Sequence, residues 1–408
     1  MGRCHVSNAT SYSYSTLELQ NIPICPDTTR CPAKRTVIFA IQGGVGGFAS
    51  VVYLYVANAV LWAWRQGYVP WVALAQSHVP QTRRGMALSA ASYEALFVQP
   101  CAGVSRAWAA ACPETVAVVT QEPGWYYPCM HEREAWPFRA WYYSRSWASR
   151  CCHAGRWCSA HNEPLYRGWR ALGATVAAHA IRPQPWVTDA VEREWRRLNP
   201  DGATTLGVHM RGTDKAAGRQ WLPPTRFLPW VTSFMRAVPT GRVVVATDSE
   251  PFAAEVRQAW APLWAAGRVV LTPANTRSNL TATDGGGQQR PLQAAANFVT
   301  VSNTTAVAFD VLLDIQLLAR CSYLLHGSSA VAEAAHYTNP LLHARSVDIE
   351  WHAPHSGDAE RALAPWRSEP AEDRPSRSAI EMVSANGPSF SVRCRDAPVR
   401  RAGVMPDE

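Results

Sequence analysis

Apolar positions in this chain come in short runs separated by glycine and polar turns. Val37-Ile38-Phe39-Ala40-Ile41 has the length of a strand buried on both faces. It runs into the glycine turn Gln42-Gly43-Gly44-Val45-Gly46-Gly47, and an almost unbroken apolar stretch, Phe48 to Trp64, follows. That stretch contains Asn58 and is too short for a membrane span, so it predicts a buried helix. Tyr68 to Leu74 reads as a second strand. Strand, turn, helix and strand in that order form a βαβ unit. Residues 123 to 170, crowded with Trp, Tyr, Arg and Cys, show no clean period and read as loops and short helices.

The texture changes at Asn199-Pro200-Asp201-Gly202, a turn-rich break. Beyond it strands alternate with helices. Leu206 to Met210, Val243 to Thr247, Arg268 to Thr272 and Ser322 to His326 read as strands. A helix is expected from Asp248 to about Trp264, and a helical period runs from Phe309 to Cys321. Residues 273 to 304, rich in Gly, Asn and Thr, read as a loop. After residue 353 the chain is rich in Pro, Ser, Glu and Arg and lacks core material, the composition of a mobile tail. The expected organisation is a polar lead (1–34), a first α/β unit (35–198), a second (199–352) and the tail (353–408). Two α/β units with parallel sheets bind ligands between them and at the C-terminal ends of their strands.

Composition narrows this picture. The 408 residues are 47% hydrophobic and 17% charged, which suits globular domains. A net charge of +8 invites a nucleic-acid reading, but the basic residues are scattered with no run of five or six. A phosphate-bearing small molecule fits better. Of 39 basic residues only Lys34 and Lys215 are lysines. In an arginine-dominated chain a retained lysine marks a place where a compact ammonium matters, and Lys215 lies in the densest charged segment. Nine of the 11 cysteines precede residue 160, and sequons begin at Asn8, Asn279 and Asn303. These features point to disulfides and the secretory pathway. Met1 to Gln20 is polar and carries no leader pattern, so a signal or anchor is expected outside this chain.

The candidate chemistry gathers at strand ends in the second unit. A sugar diphosphonucleoside needs cations and donors aimed at its phosphates, where charge grows as the sugar leaves. Arg211 and Lys215, four apart just past a strand, supply a fork and a point charge, and Asp214 can orient either. Gly327-Ser328-Ser329 offers N–H groups and hydroxyls at a strand-to-helix turn. Asp314 can accept hydrogen bonds from a guanine edge or a ribose. Each also has a plain reading: a surface turn at 211–214, an N-cap at Ser329, a core histidine at His209.

Gly207-Val208-His209-Met210-Arg211-Gly212-Thr213-Asp214-Lys215 resembles the nucleotide-binding motif of the α1,6-fucosyltransferase family. Val245-Ala246-Thr247-Asp248 is similar to its second motif. Leu312 to Ala319 with Gly327 to Val331 resembles its third. The resemblance covers about residues 206 to 350. It implies a GT-B fold, two Rossmann-like domains facing each other across a cleft, and inverting transfer of fucose from GDP-fucose to a glycan acceptor without a metal or other cofactor. It places Arg211 on the β-phosphate, His209, Asp248, Asp314, Ser328 and Ser329 around the nucleotide, and Asp214 and Lys215 at the reaction centre. Gly44 and Gly46 would face the cleft from the first domain. Localisation in the Golgi lumen follows from the same likeness, with membrane contact only through an anchor beyond this chain. Two positions depart from the family: Gly212 stands where a second Arg is usual, and Arg219 where the core-fucosylating branch has a general-base Glu.

Three other readings compete. Gly44-Val45-Gly46-Gly47-Phe48-Ala49 fits a dinucleotide loop, but no acidic residue follows at the distance a ribose needs; the next carboxylate after Asp27 is Glu94. Cys151, Cys152, His153, Cys158 and His161 can be arranged around zinc, although their irregular spacing suits disulfides better. Finally, the two departures fit a fucosyltransferase-like protein that binds glycans without catalysis.

Overall fold

The computed structural model describes residues 25–41, 48–72, 90–120, 163–212, 222–273, 277, 281–283, 289–291, 304–327 and 329–349. Twelve strands occur among them: β1 Thr36–Ile41, β2 Val69–Val72, β3 Phe97–Val98, β4 Val116–Thr120, β5 Arg182–Pro183, β6 Thr205–Met210, β7 Arg242–Thr247, β8 Val269–Leu271, β9 Thr281–Thr283, β10 Gln289–Pro291, β11 Tyr323–His326 and β12 Ser346–Asp348.

The first sheet is parallel, in the order β2-β1-β4. Its middle strand is buried from Ile38 to Ile41, as a continuous apolar run requires. The apolar stretch after the glycine turn is a π-helical segment, Ser50–Val56, continuing as an α-helix, Ala57–Arg65. Its described side chains are buried, Asn58 included, whose amide donates to the Leu54 carbonyl at 2.7 Å. No helix among the described residues is long and apolar enough to cross a membrane. Cys25 pairs with Cys101 and Cys31 with Cys112, which staples the end of the polar lead to the first unit.

The helix Glu163–Ala180 takes in residues 163 to 170, read from sequence as loops and short helices, as the start of one 18-residue helix. Aromatic and arginine crowding before residue 170 hides the Ala- and Leu-rich helix formers that follow. The helix Pro185–Leu198 buries Val187, Ala190, Val191 and Leu198 along one stripe. It ends in the Asn199–Gly202 turn, where Gly202 at φ +65° takes the left-handed conformation that favours glycine.

Beyond that turn lies a five-stranded parallel sheet ordered β12-β11-β6-β7-β8. One apolar cluster packs around Phe227, Trp230, Phe234, Phe252 and Trp260 on one side of it. The opposite side belongs to a larger cluster running from Phe39 and Tyr53 through Val176 to Leu313 and Tyr337, so the apolar core crosses the chain break at 199. Within it the Gln316 amide donates to the Tyr53 hydroxyl at 3.3 Å. The loop between residues 273 and 304 contains the antiparallel pair β9–β10, a hairpin that its Gly- and Thr-rich composition did not announce. The tail from 353 lies outside the described residues, as do the sequon asparagines and the zinc candidates Cys151 to His161.

Candidate functional site at the switch point of the larger sheet

The chain lays β6, β7 and β8 side by side, then returns through the helix Thr304–Ala319 to place β11 on the other flank of β6. Strand order therefore reverses between β6 and β11. At such a point the helices leave on opposite sides, and a crevice opens beyond the carboxyl ends of the strands. His209 on β6 stands opposite His326 on β11 in register, and both are buried.

Arg211 is the first residue past β6, and Asp248 the first past its neighbour β7. Asp248 Oδ1 accepts the Gly212 amide at 2.8 Å, while Oδ2 lies 4.0 Å from Arg211 Nε. The carboxylate thus latches the loop and orients the guanidinium at the outer limit of an ion pair. Gly212 is pressed against the next turn: a Cβ there would fall 2.5 Å from Ser249 Cβ. Ser249 caps the helix Glu250–Ala259 by accepting from the Phe252 amide, and its own amide donates to Thr247 Oγ1 at 3.2 Å. The backbone approach, more than side-chain chemistry, accounts for glycine where the resembling motif carries a second arginine.

Asp314 rises from the Thr304–Ala319 helix, one turn beyond Asp310. Its Oδ1 and the neighbouring Thr272 Oγ1 are sealed from solvent without a well-aligned hydrogen-bond partner among the described residues. The Asp314 carboxyl is pushed up to about 7, chiefly by burial; Thr272 and Arg277 hold it lower than burial alone would, while Asp310 and Asp248 add to the rise. A carboxyl in this balance can change charge near neutrality.

Ser329 follows β11 as the N-cap of the helix Ala330–Thr338, its Oγ accepting from the Val331 amide at 3.1 Å. The capping reading therefore describes its oxygen. That helix is fixed from behind by Glu333, which pairs with Arg170 of the Glu163–Ala180 helix through Nε at 2.9 Å and through a second, short bond from Nη2. His336 of that helix stands between His326 and His343 in an edge-to-face column, with ring centroids 5.5 and 5.3 Å apart. Burial, followed by Arg170 and the flanking histidines, holds His336 well below the usual imidazole range.

Of the residues expected from sequence, the structure joins Arg211 to Asp248 directly. It brings Asp314 within electrostatic reach of Asp248, and sets His209 on β6 and Ser329 in the turn after the adjacent β11. Asp214, Lys215, Arg219, Ser328, Gly44 and Gly46 lie outside the described residues. Sequence reasoning missed Arg277, only 11% exposed at the same rim; it donates to the Thr247 carbonyl at 3.3 Å and, through a short bond, to that of Thr272. One arginine in a sequon-rich loop carries no signal that separates it from the rest.

No protein-family model and no curated protein matches the chain at a significant level. Among solved structures it is similar to fucosyltransferase NodZ from Bradyrhizobium, at 17% identity and a TM-score of 0.38, over 78% of this chain and 96% of that one. NodZ α1,6-fucosyltransferase soaked with GDP-fucose gives 16% identity and a TM-score of 0.37, over 75% and 94%. A variant of Arabidopsis thaliana FUT1 in complex with GDP gives 11% and 0.37, over 82% and 74%.

Proposed function

We propose that this chain is a GT-B-type inverting glycosyltransferase that moves fucose from GDP-fucose to a glycan hydroxyl. The observation that carries the reading is Arg211. A guanidinium oriented by Asp248 stands at the exit of β6, beside the point where strand order reverses. The three sequence motifs support it from an independent direction. They meet at one rim although about a hundred residues separate the first from the last.

In this reading Arg211 holds the diphosphate as a planar fork and offsets the charge that grows on it. Asp314 accepts N–H groups of the guanine edge, and Ser329 with its helix N-terminus faces the nucleotide. Lys215 and Asp214 act at the transferred sugar, and Gly44 and Gly46 close the cleft from the first domain. Residues 35–198 would form that acceptor-side domain and 199–352 the donor domain. No metal is required, because fixed cations meet the phosphate charge. With Arg219 in place of the usual glutamate, the acceptor proton passes to the departing phosphate or to a base elsewhere in the site. The two disulfides and the sequons support a place in the secretory pathway, in the Golgi lumen.

The test is release of GDP from GDP-fucose in the presence of chelator, with and without a panel of N-glycan and chitooligosaccharide acceptors. Acceptor-stimulated release is expected. Arg211→Ala should abolish it and weaken GDP binding while leaving the melting temperature unchanged. GDP binding with no turnover on any acceptor would favour a glycan-binding protein derived from this fold. Unchanged GDP affinity in Arg211→Ala would overturn the placement.

A further inference from the structure

Arg277 lies at the junction of three elements. Its Nε and Nη2 donate to the Thr247 and Thr272 carbonyls, the last residue of β7 and the first beyond β8. Its Nη1 faces Glu250 Oε2 at 3.8 Å, in the first turn of the helix that Ser249 caps. Those two carbonyls lie at the ends of adjacent parallel strands. A lysine's point charge does not span them, whereas a planar fork does. The same guanidinium acts electrostatically on the Asp314 carboxyl, against the effect of Asp310.

We infer that Arg277 is a positioning residue for nucleotide recognition: it ties the ends of β7 and β8 together and sets a positive charge within electrostatic reach of Asp314, favouring the form that accepts N–H groups. The recognition half of this inference rests on the assignment of Asp314 to the guanine edge made above. The groups facing Asp314 are Asp310 on its own helix, Asp248 beyond β7, the Thr272 hydroxyl beyond β8, and Arg277. Two of these are carboxylates that oppose ionisation. Without Arg277, burial and both carboxylates would act together, countered by Thr272 alone.

The experiment compares wild type with Arg277→Met, Arg277→Gln and Arg277→Lys, each with and without Asp314→Asn, in melts from pH 5 to 9. Glutamine retains donors for the carbonyls but drops the charge, so it serves if methionine prevents folding. In apo protein the stabilisation by Asp314→Asn grows as pH rises above about 4, and the pH at which it levels off reports the Asp314 midpoint, about 7 in wild type. Arg277→Gln should move that midpoint up by one pH unit or more, and Arg277→Lys should restore most of it. GDP affinity in Arg277→Gln should fall about tenfold at pH 7 and return towards wild type at pH 9. An unmoved midpoint, or a GDP defect equal at every pH, would overturn the inference and leave a merely structural arginine. A shifted apo midpoint in a wild-type protein that binds no GDP would instead remove the nucleotide assignment, and the recognition half with it.

Discussion

Position 212 shows how tightly the loop past β6 is set. Since a Cβ there would meet Ser249 Cβ at 2.5 Å, Gly212→Ala must move backbone. We expect it to destabilise the protein by about 1–3 kcal/mol, as overpacking does. It should also weaken GDP binding by displacing Arg211; a mutant with wild-type melting and GDP affinity would refute the close approach. Asp314 gives a pH signature. Its folded pKa is raised from 3.8 to about 7, so its contribution to stability is full below about pH 4 and is lost as pH rises through 7. Asp314→Asn should therefore leave stability nearly unchanged at pH 3.5, raise it progressively above about pH 4 and raise it most at pH 8.5, measured by denaturant titration; a difference independent of pH would contradict the burial described. At this scale the sequence exposed Arg211 and Asp248 because each follows an apolar strand directly. Arg277 and Thr272 follow no such signal, since only the folded loop brings them to the rim.

At the scale of elements, the Ala330–Thr338 helix matters most, because its N-terminus faces the crevice and its first turn is anchored by Glu333. The Arg170–Glu333 pair is bidentate, with side chains 14% and 5% exposed. Removing either partner alone, as in Arg170→Met or Glu333→Leu, leaves an uncompensated buried charge and should cost about 3–5 kcal/mol. The joint replacement should recover most of that loss in a double-mutant cycle of urea unfolding. Additive losses would contradict a coupled pair. Strands β1, β2, β6, β7, β8 and β11 were legible because a buried parallel strand is a short apolar run bounded by turns. The helix starting at Glu163 was not, since Tyr, Trp and Arg break up the apolar period of its early turns, and Arg170 finds its partner Glu333 far away in sequence. Short strands such as β3, β5 and β12 owe their existence to pairing partners, which local composition does not encode.

For the whole molecule, alternation of strands and helices was enough to foresee parallel α/β units. It did not reveal that both units share one apolar cluster, with Tyr53 from the first half bonded to Gln316 from the second. Such contacts depend on tertiary packing between segments far apart in the chain. Reversal of strand order between β6 and β11 was likewise beyond sequence, yet it explains why residues from separate motifs converge at one rim. The account's central claim is that this rim binds a guanosine diphosphate through Arg211. The most direct measurement is thermal and denaturant unfolding of wild type and Arg211→Ala with GDP, GDP-fucose and UDP. At a hundred times its dissociation constant, GDP should add about 2.7 kcal/mol to wild-type stability. GDP-fucose should do the same, while UDP and the Arg211→Ala variant should show little change at the same concentrations. A wild-type transition unmoved by GDP, or moved equally in Arg211→Ala, would contradict the claim.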